Sequence, residues 1–374
     1  MASQRRRRAG SKSSRRVKAR NAPKPTKQRC RIVVLGVGGA GNRVISRLVD
    51  GGLAGAECIA VNTDIKDLNS AGVARKVLIG ENVTRGLSAG GNPDTGRAAA
   101  QESRALIESL VEKVDVAFVV VGLGGGTGTG ASPIVAETAR RKGVVVVGVV
   151  ATPFRMHQYR CGFVNNALSE MRMTCDTVVV VDNDRILKSV PGLPFGEACN
   201  LADQVLANMI KGIVETLSEP SMINLDISAF KTIVRDGGVA TVGVGKSDAP
   251  NRVEEAVQNA LNTSLLNVDY SGATGALIQV SGDADMTLEE VDKVKELVTD
   301  KMGRSARIAW GARVNPGGEG LEVTLVMTGV NSPYNRYGLG NMMLELYDIE
   351  SSYAETEKSL PVDLGLDQIE SLED

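Results

Sequence analysis

The sequence predicts an α/β protein: a doubly wound parallel sheet, then one long helix, then a smaller α+β unit. Three observations carry that reading. Apolar β-branched runs recur at "RIVVLG" (31–36), "CIAVN" (58–62), "KVLIG" (76–80), "VDVAFVVV" (114–121), "VVVVGVV" (144–150) and "DTVVVVD" (176–182). They are continuous rather than alternating, as strands buried on both faces of a parallel sheet must be. Helical stretches near 42–50, 96–112, 133–142 and 162–173 fall between them, and strand–helix alternation builds βαβ layers. In "EACNLADQVLANMIKGIVETL" (197–217), Ala198, Leu201, Ala202, Val205, Leu206, Met209, Ile210, Ile213, Val214 and Leu217 step by three and one. That spacing is one face of a helix about 30 Å long.

After this helix the pattern restarts. Strands are expected near 231–235, 239–245, 276–281, 306–310 and 322–329, with helices near 251–266 and 287–302. The chain thus divides into a basic disordered tail (1–30), a first domain (31–196), the central helix (197–218), a second domain (219–330) and an acidic tail (331–374). Only 3% of residues are aromatic against 43% hydrophobic, so the core must be Val, Ile, Leu and Ala. The apolar runs are far short of the roughly 20 residues that cross a bilayer. The basic N-terminus has no apolar segment of the kind a secretory signal needs. Five scattered cysteines with no C-x-x-C pair suit a reducing cytoplasm.

The net charge of −1 hides an asymmetry: residues 1–31 carry thirteen Lys and Arg and no acid. Such an arm is either a solubilising tail or an electrostatic contact for nucleic acid or an anionic membrane. With no interleaved aromatics, nucleic acid would be held through phosphates alone. Residues 341–374 hold ten acids and one Lys. The closing "LPVDLGLDQIESLED" (360–374) has the apolar spacing of a peptide that docks in a partner's groove.

Two glycine loops stand at the carboxyl ends of expected strands, where open α/β sheets bind ligands. In "GVGGAGN" (36–42), Gly36, Gly38 and Gly41 fit G-x-G-x-x-G, and Asp64 in "VNTD" (61–64) is a candidate for the acid that a dinucleotide site requires. The second loop, "GLGGGTGTG" (122–130), has six glycines in nine positions. A dinucleotide site has no need of it. Two loops of bare backbone N–H groups, each opening a helix, suit a polyphosphate, with Thr127 and Thr129 adding hydroxyl donors. A Walker P-loop is excluded, because "GKS" (245–247) has Ala240 where the first Gly belongs. The sole histidine, His157, cannot supply a metal-binding pair, and no nucleophile signature accompanies it.

With these motifs the chain resembles the tubulin/FtsZ superfamily, and within it a divergent, archaeal-type FtsZ. The likeness rests on "GVGGAGN", "VNTD", "GLSAGGNPDTGR" (86–97), "GGGTGTG" (124–130), "TPF" (152–154), "DNDRIL" (182–187), the central helix and "INLD" (223–226), in that order over about 31–330. It implies a GTP-binding first domain and head-to-tail filaments that form a division ring. It also implies a loop after the central helix (222–230) that completes the neighbouring subunit's site, where GTP is hydrolysed. Carried over residue by residue, Gly38, Gly39, Ala40, Gly41, Asn42 and Arg43, with Gly125, Gly126, Thr127, Gly128, Thr129 and Gly130, would line the phosphates of GTP or GDP. Asn62, Asp64, Ala89, Gly90, Gly91 and Asn92 would neighbour them, and Arg160 matches a pocket arginine. Asn183 and Asp203 match positions that read guanine, and Asn224 and Asp226 match the catalytic loop. No metal ligand is assigned; Mg2+ would ride on the phosphates. FtsZ-like tails bind membrane-tethering adaptors, which the acidic tail would do.

The departures are specific. "PFRMHQYR" (153–160) lacks the Glu that the family places facing the ribose. The aromatic that stacks on the base four residues before the matching Asp is Cys199 here. The second acid of the catalytic loop is Ala229. Two carboxylates at i and i+3 orient a water and a cation together. Losing one electrostatic partner typically costs on the order of 10²–10³ in rate. Residues 224–230 also read as an ordinary loop, with Asp226 capping the segment after it. The resemblance and its departures together imply two functions: a filament-forming GTPase of cell division, and a GTP-binding scaffold with little hydrolysis and a role outside division. A dinucleotide oxidoreductase is the remote third.

Overall fold

The computed structural model describes residues 30–154, 163–189, 192–218, 225–235, 237–262, 268–302, 306–315 and 320–332. Residues 1–29 and 333–374 of the two tails, with His157, Arg160 and Asn224, lie outside the described residues. The expected strands form β1 (Ile32–Val37), β2 (Ala56–Asn62), β3 (Arg75–Leu78), β4 (Val116–Gly122), β5 (Val145–Ala151) and β6 (Thr177–Val181). All pair in parallel, in the order β3-β2-β1-β4-β5-β6. Every residue of β1, β5 and β6 is buried, which explains the unbroken apolar runs.

The two faces of the sheet sort by parity. Val33, Leu35, Val37, Val119 and Val121 face one core; Val34, Phe118 and Val120 face the other. The first face is covered by helices α4 (Pro93–Glu102), α5 (Arg104–Leu110), α6 (Thr127–Arg141) and α7 (Val164–Thr174). The second is covered by α1 (Gly38–Asp50), α2 (Ile65–Ser70) and the long central helix α9 (Phe195–Ser218). The short α3 (Glu81–Thr84) and α8 (Asn183–Ser189) complete this part. The helix expected over 96–112 is interrupted at Ser103.

Helix α9 is 24 residues long, about 36 Å at 1.5 Å per residue. Eight of the ten expected apolar positions are buried, Ala198, Leu201, Ala202, Leu206, Met209, Ile210, Ile213 and Val214, with Asp203, Ala207 and Thr216 buried beside them; Val205 and Leu217 are only partly buried. One expected strand is corrected: residues 231–235 belong to helix α10 (Ile227–Val234) and its C-cap. Phe230, Ile233 and Val234 are its buried residues, an i, i+3, i+4 set that the β-branched run Thr232–Ile233–Val234 disguises as a strand.

The second half adds β7 (Gly238–Ser247), α11 (Arg252–Asn262), β8 (Gly275–Gly282), α12 (Leu288–Asp300), β9 (Arg307–Val314) and β10 (Leu321–Thr328). Its strands do not form a separate sheet. β7 pairs in parallel with β6 at Thr177–Gly238, Val178–Val239 and Val179–Ala240. The sheet then continues β7-β10-β8-β9. β10 is antiparallel to β7 and β8, and β8 is parallel to β9. Among the described residues no helix is long and apolar enough to cross a membrane.

Candidate functional site

The β1–α1 and β4–α6 turns meet at the carboxyl edge of the sheet. Gly38 turns at φ +72°, and a Cβ there would stand 2.8 Å from the Gly128 nitrogen. The two glycine loops are thus packed backbone to backbone. The glycines divide into two kinds. A Cβ on Gly36 would lie 2.6 Å from the Gly41 oxygen, one on Gly126 2.9 Å from the Asn92 nitrogen, and one on Gly130 2.6 Å from the Arg97 nitrogen. These glycines let α1 and α6 approach β1 and α4. By contrast, nothing lies within 4 Å of a Cβ on Gly90, Gly91 or Gly125. Those three border open space beside the joined loops, the kind of place where backbone N–H groups meet an anion.

The hydroxyls brace the loops. Thr63 and Thr127 hydroxyls are 2.7 Å apart, and the Gly124 N–H donates to the Thr129 hydroxyl at 2.9 Å. Asn62 accepts the Thr63 N–H at 2.8 Å and donates to Asp67 at 2.6 Å. Asp64 caps α2, accepting from the Lys66 and Asp67 N–H groups. Asn92 caps α4 by accepting the Asp94 N–H at 2.9 Å, and Ala89 is buried against Gly126. Thr63, Asp67 and the packing role of Gly96 against Gly126 were not singled out by the motifs. Thr63 lies inside "VNTD", Asp67 three residues beyond it and Gly96 inside "GLSAGGNPDTGR", but none of these motifs says what the residue faces.

Asn42 offers both ends of its side-chain amide to a polar ligand. It is 2% exposed, yet neither its side-chain oxygen nor its nitrogen has a hydrogen-bond partner. The Asn183 side-chain oxygen is likewise buried and unpartnered. Each such group costs about 1–3 kcal/mol unless something satisfies it. Asn42, Arg43, Ser46, Arg47 and Asp67 line a cavity of about 320 Å³. A larger one, about 570 Å³, lies at the opposite edge of the sheet around Cys30, Arg31 and Glu57, away from the glycine loops.

Arg43 does not point back along the glycine loop. Its Nε donates to Asp203 Oδ2 of α9 at 2.9 Å, and Arg47 donates to Asn200 at 2.8 Å. Burial raises the Asp203 carboxyl above its usual range, and the two arginines pull against that rise. Burial also raises the Cys199 thiol.

Asp226 lies apart from all of this. It caps α10, accepting the Ser228 N–H at 3.2 Å. Farther along that helix, Lys231 pairs with Asp115 at 3.1 Å, and the Val234 carbonyl accepts from Thr177 at 2.5 Å. Asp115 and Thr177 stand at the amino ends of β4 and β6, whereas the glycine loops stand at the carboxyl ends of β1 and β4. The seven residues of β4 separate the two edges by about 20 Å. Ala229 is half-buried and packs against the core on that side. Arg160 and Asn224 cannot be placed, because both lie outside the described residues.

Comparison with known proteins gives this arrangement its relatives. Residues 31–191 match the Tubulin/FtsZ family GTPase domain, and residues 238–331 match the FtsZ family C-terminal domain. "Cell division protein FtsZ 2" of Methanocaldococcus jannaschii is 45% identical over 307 residues, 81% of each chain. "Cell division protein FtsZ 1" of Thermococcus kodakarensis is 42% identical over 343 residues, covering 91% of this chain and 89% of that one. The solved "FtsZ dimer, empty" from M. jannaschii superposes with a TM-score of 0.78 at 40% identity, covering 84% of this chain and 95% of that one. With two family domains matched in order and relatives this similar over most of its length, the chain belongs to the tubulin/FtsZ family of GTPase-domain proteins.

Proposed function

We propose that the protein binds GTP and GDP at the joined glycine loops and assembles head to tail into filaments that act in cell division. The observation that carries this is the distance between the two half-sites. The glycine loops and Asn42 occupy the carboxyl edge of the sheet, and Asp226 occupies the amino edge. A catalytic loop on the far edge serves a nucleotide only when a second copy stacks on the first. The names of the similar archaeal relatives supply the role in division.

The residues fit a guanine nucleotide. Gly90, Gly91 and Gly125 leave room for phosphates beside backbone donors. Asn42 and Asn183 have buried amide atoms for a polar ligand to satisfy. Asp203 offers acceptors for the N–H donors of guanine, which adenine lacks on that edge. Among the described residues no group of three or more His, Cys, Asp or Glu is gathered to hold a metal. Mg2+ would be carried by the phosphates and would supply charge neutralisation there. Asn224 and Asp226 would polarise the water that attacks the neighbouring subunit's nucleotide. With Ala229 in place of a second carboxylate, that step is slow.

The test is GTP binding, light scattering and phosphate release on the purified full chain across a concentration series. The proposal requires GTP binding, GTP-dependent scattering, and phosphate release per subunit that rises with protein concentration. Release independent of concentration would overturn the shared-site reading. Filaments on GTP with no release at all would favour the scaffold reading, which Ala229 keeps in play.

A further inference from the structure

Arg43 adjoins the phosphate loop in sequence, yet it reaches across to α9. Its side chain is 57% exposed while that of Asp203 is 8% exposed, and the contact is a single Nε–Oδ2 hydrogen bond of 2.9 Å. A carboxylate has about four acceptor sites, so this bond leaves Oδ1 and part of Oδ2 available. Arg47, one turn along α1, holds Asn200 on the same helix. Two arginines of α1 therefore fix the stretch of α9 that contains Cys199 and Asp203. At Cys199 no aromatic is present to keep a flat base in place.

We propose that Arg43 is a specificity-determining positioning residue for the purine: it holds one oxygen of Asp203 so that the other meets the N–H edge of guanine. This rests on the guanine-nucleotide reading above. A neutral, freely rotating carboxyl group would serve adenine and guanine nearly alike, because only an aimed, charged acceptor rewards the guanine N–H donors. Among the described residues, the groups bearing on Asp203 are Arg43 and Arg47 of α1, with the Cys199 thiol on its own helix. Burial favours the neutral acid, and Arg43 opposes it more than Arg47 does. Removing Arg43 thus moves protonation of Asp203 to higher pH.

The experiment measures GDP and ADP affinity of the full chain, by competition against a fluorescent guanine nucleotide, from pH 5 to 8. It compares the unsubstituted protein with Arg43→Ala, Arg43→Gln and Arg43→Lys. The expected result is a loss of about ten- to a hundredfold in GDP affinity for Arg43→Ala at neutral pH. ADP affinity is nearly unchanged, and the acid-side loss of GDP binding begins at higher pH. Arg43→Lys recovers part of both effects, and Arg43→Gln does not restore the pH profile. Equal losses for GDP and ADP with an unmoved pH profile would overturn the proposal, leaving Arg43 a phosphate contact or a simple brace. Failure of the unsubstituted protein to bind GDP would instead overturn the underlying guanine-nucleotide reading. Melting temperatures measured alongside separate misfolding from loss of specificity.

Discussion

Replacing Gly130 with Ala tests whether the glycines of one loop do two different jobs. A Cβ at Gly130 would stand 2.6 Å from the Arg97 nitrogen, where ordinary contact begins at 3.4 Å, and closer still to the Pro93 carbonyl oxygen. Both obstacles are backbone of α4, so no flexible side chain can swing away. Overpacking of this kind costs about 1–3 kcal/mol or more. The gain from placing Ala inside a helix, about 1 kcal/mol, offsets part of it. A net loss of about 2 kcal/mol would lower the melting temperature by about 4–8 °C for the part of the chain that unfolds with α6. Gly125→Ala is the control. Its Cβ meets nothing within 4 Å and its backbone is not in the left-handed region. Its melting temperature should stay within about 1 °C, while GTP affinity falls as the methyl group enters the space meant for phosphate. Thermal scans with and without saturating GTP read both numbers. Equal melting temperatures for the two variants, or Gly125→Ala as the less stable, would refute the division of the loop into packing and cradle glycines.

Other outcomes rest on the same structure. Ala229→Asp should raise phosphate release on the order of 10²-fold or more, if the missing acid is the main defect; an unchanged rate assigns the defect to the segment 153–160, which lacks the expected Glu, or to Cys199. Asp226→Asn should keep the cap of α10 and lose turnover, whereas Asp226→Ala should lose turnover and about 1 kcal/mol of stability as well, read by urea denaturation. In the second half of the chain, Arg252 donates to Glu290 at 2.7 and 3.0 Å and to Asp283 at 3.0 Å. The hydrogen bonds from Arg252 hold Glu290 below its usual value of 4.5. That stabilisation is present above pH 4.5 and is lost as pH falls through the lowered value, so Arg252→Met should cost about 2 kcal/mol at pH 7 and progressively less as the pH is lowered below 4.5. Burial pushes the Cys175 thiol up to about 12. A thiol reagent at pH 8 should modify Cys175 only on unfolding, and stability should decline as pH rises from 9 toward 12.

The first six strands were legible because burial on both faces leaves an uninterrupted β-branched run, and Val145 to Val150 is interrupted only by Gly148. Helix α9 was legible because its stripe keeps one period for 24 residues. Residues 231–235 read as a strand because α10 is eight residues long, too short for its period to outweigh the β-branched Thr232, Ile233 and Val234. At the site, the glycine pattern disclosed the loops but not what each glycine faces. Gly125 and Gly130 look alike in sequence and differ only in what the fold places beside them. The resemblance placed Arg43 with the phosphate loop, whereas the partner it reaches, Asp203, lies 160 positions away; long-range ion pairs of this sort leave no local trace.

The joint between β6 and β7 is three paired positions long, while β7 and β10 share eight. Beside that ladder the halves share buried clusters on both sheet faces, the Lys231–Asp115 pair and the Thr177–Val234 hydrogen bond, and cooperativity between two structural units depends on the free energy of their whole common boundary. Heating should therefore give one calorimetric transition, which GTP raises as a whole; two transitions, only one of them moved by GTP, would show that the boundary is weak. A destabilising change beside the glycine loops is thus felt as far as β8 and β9, at the other end of the ten-stranded sheet.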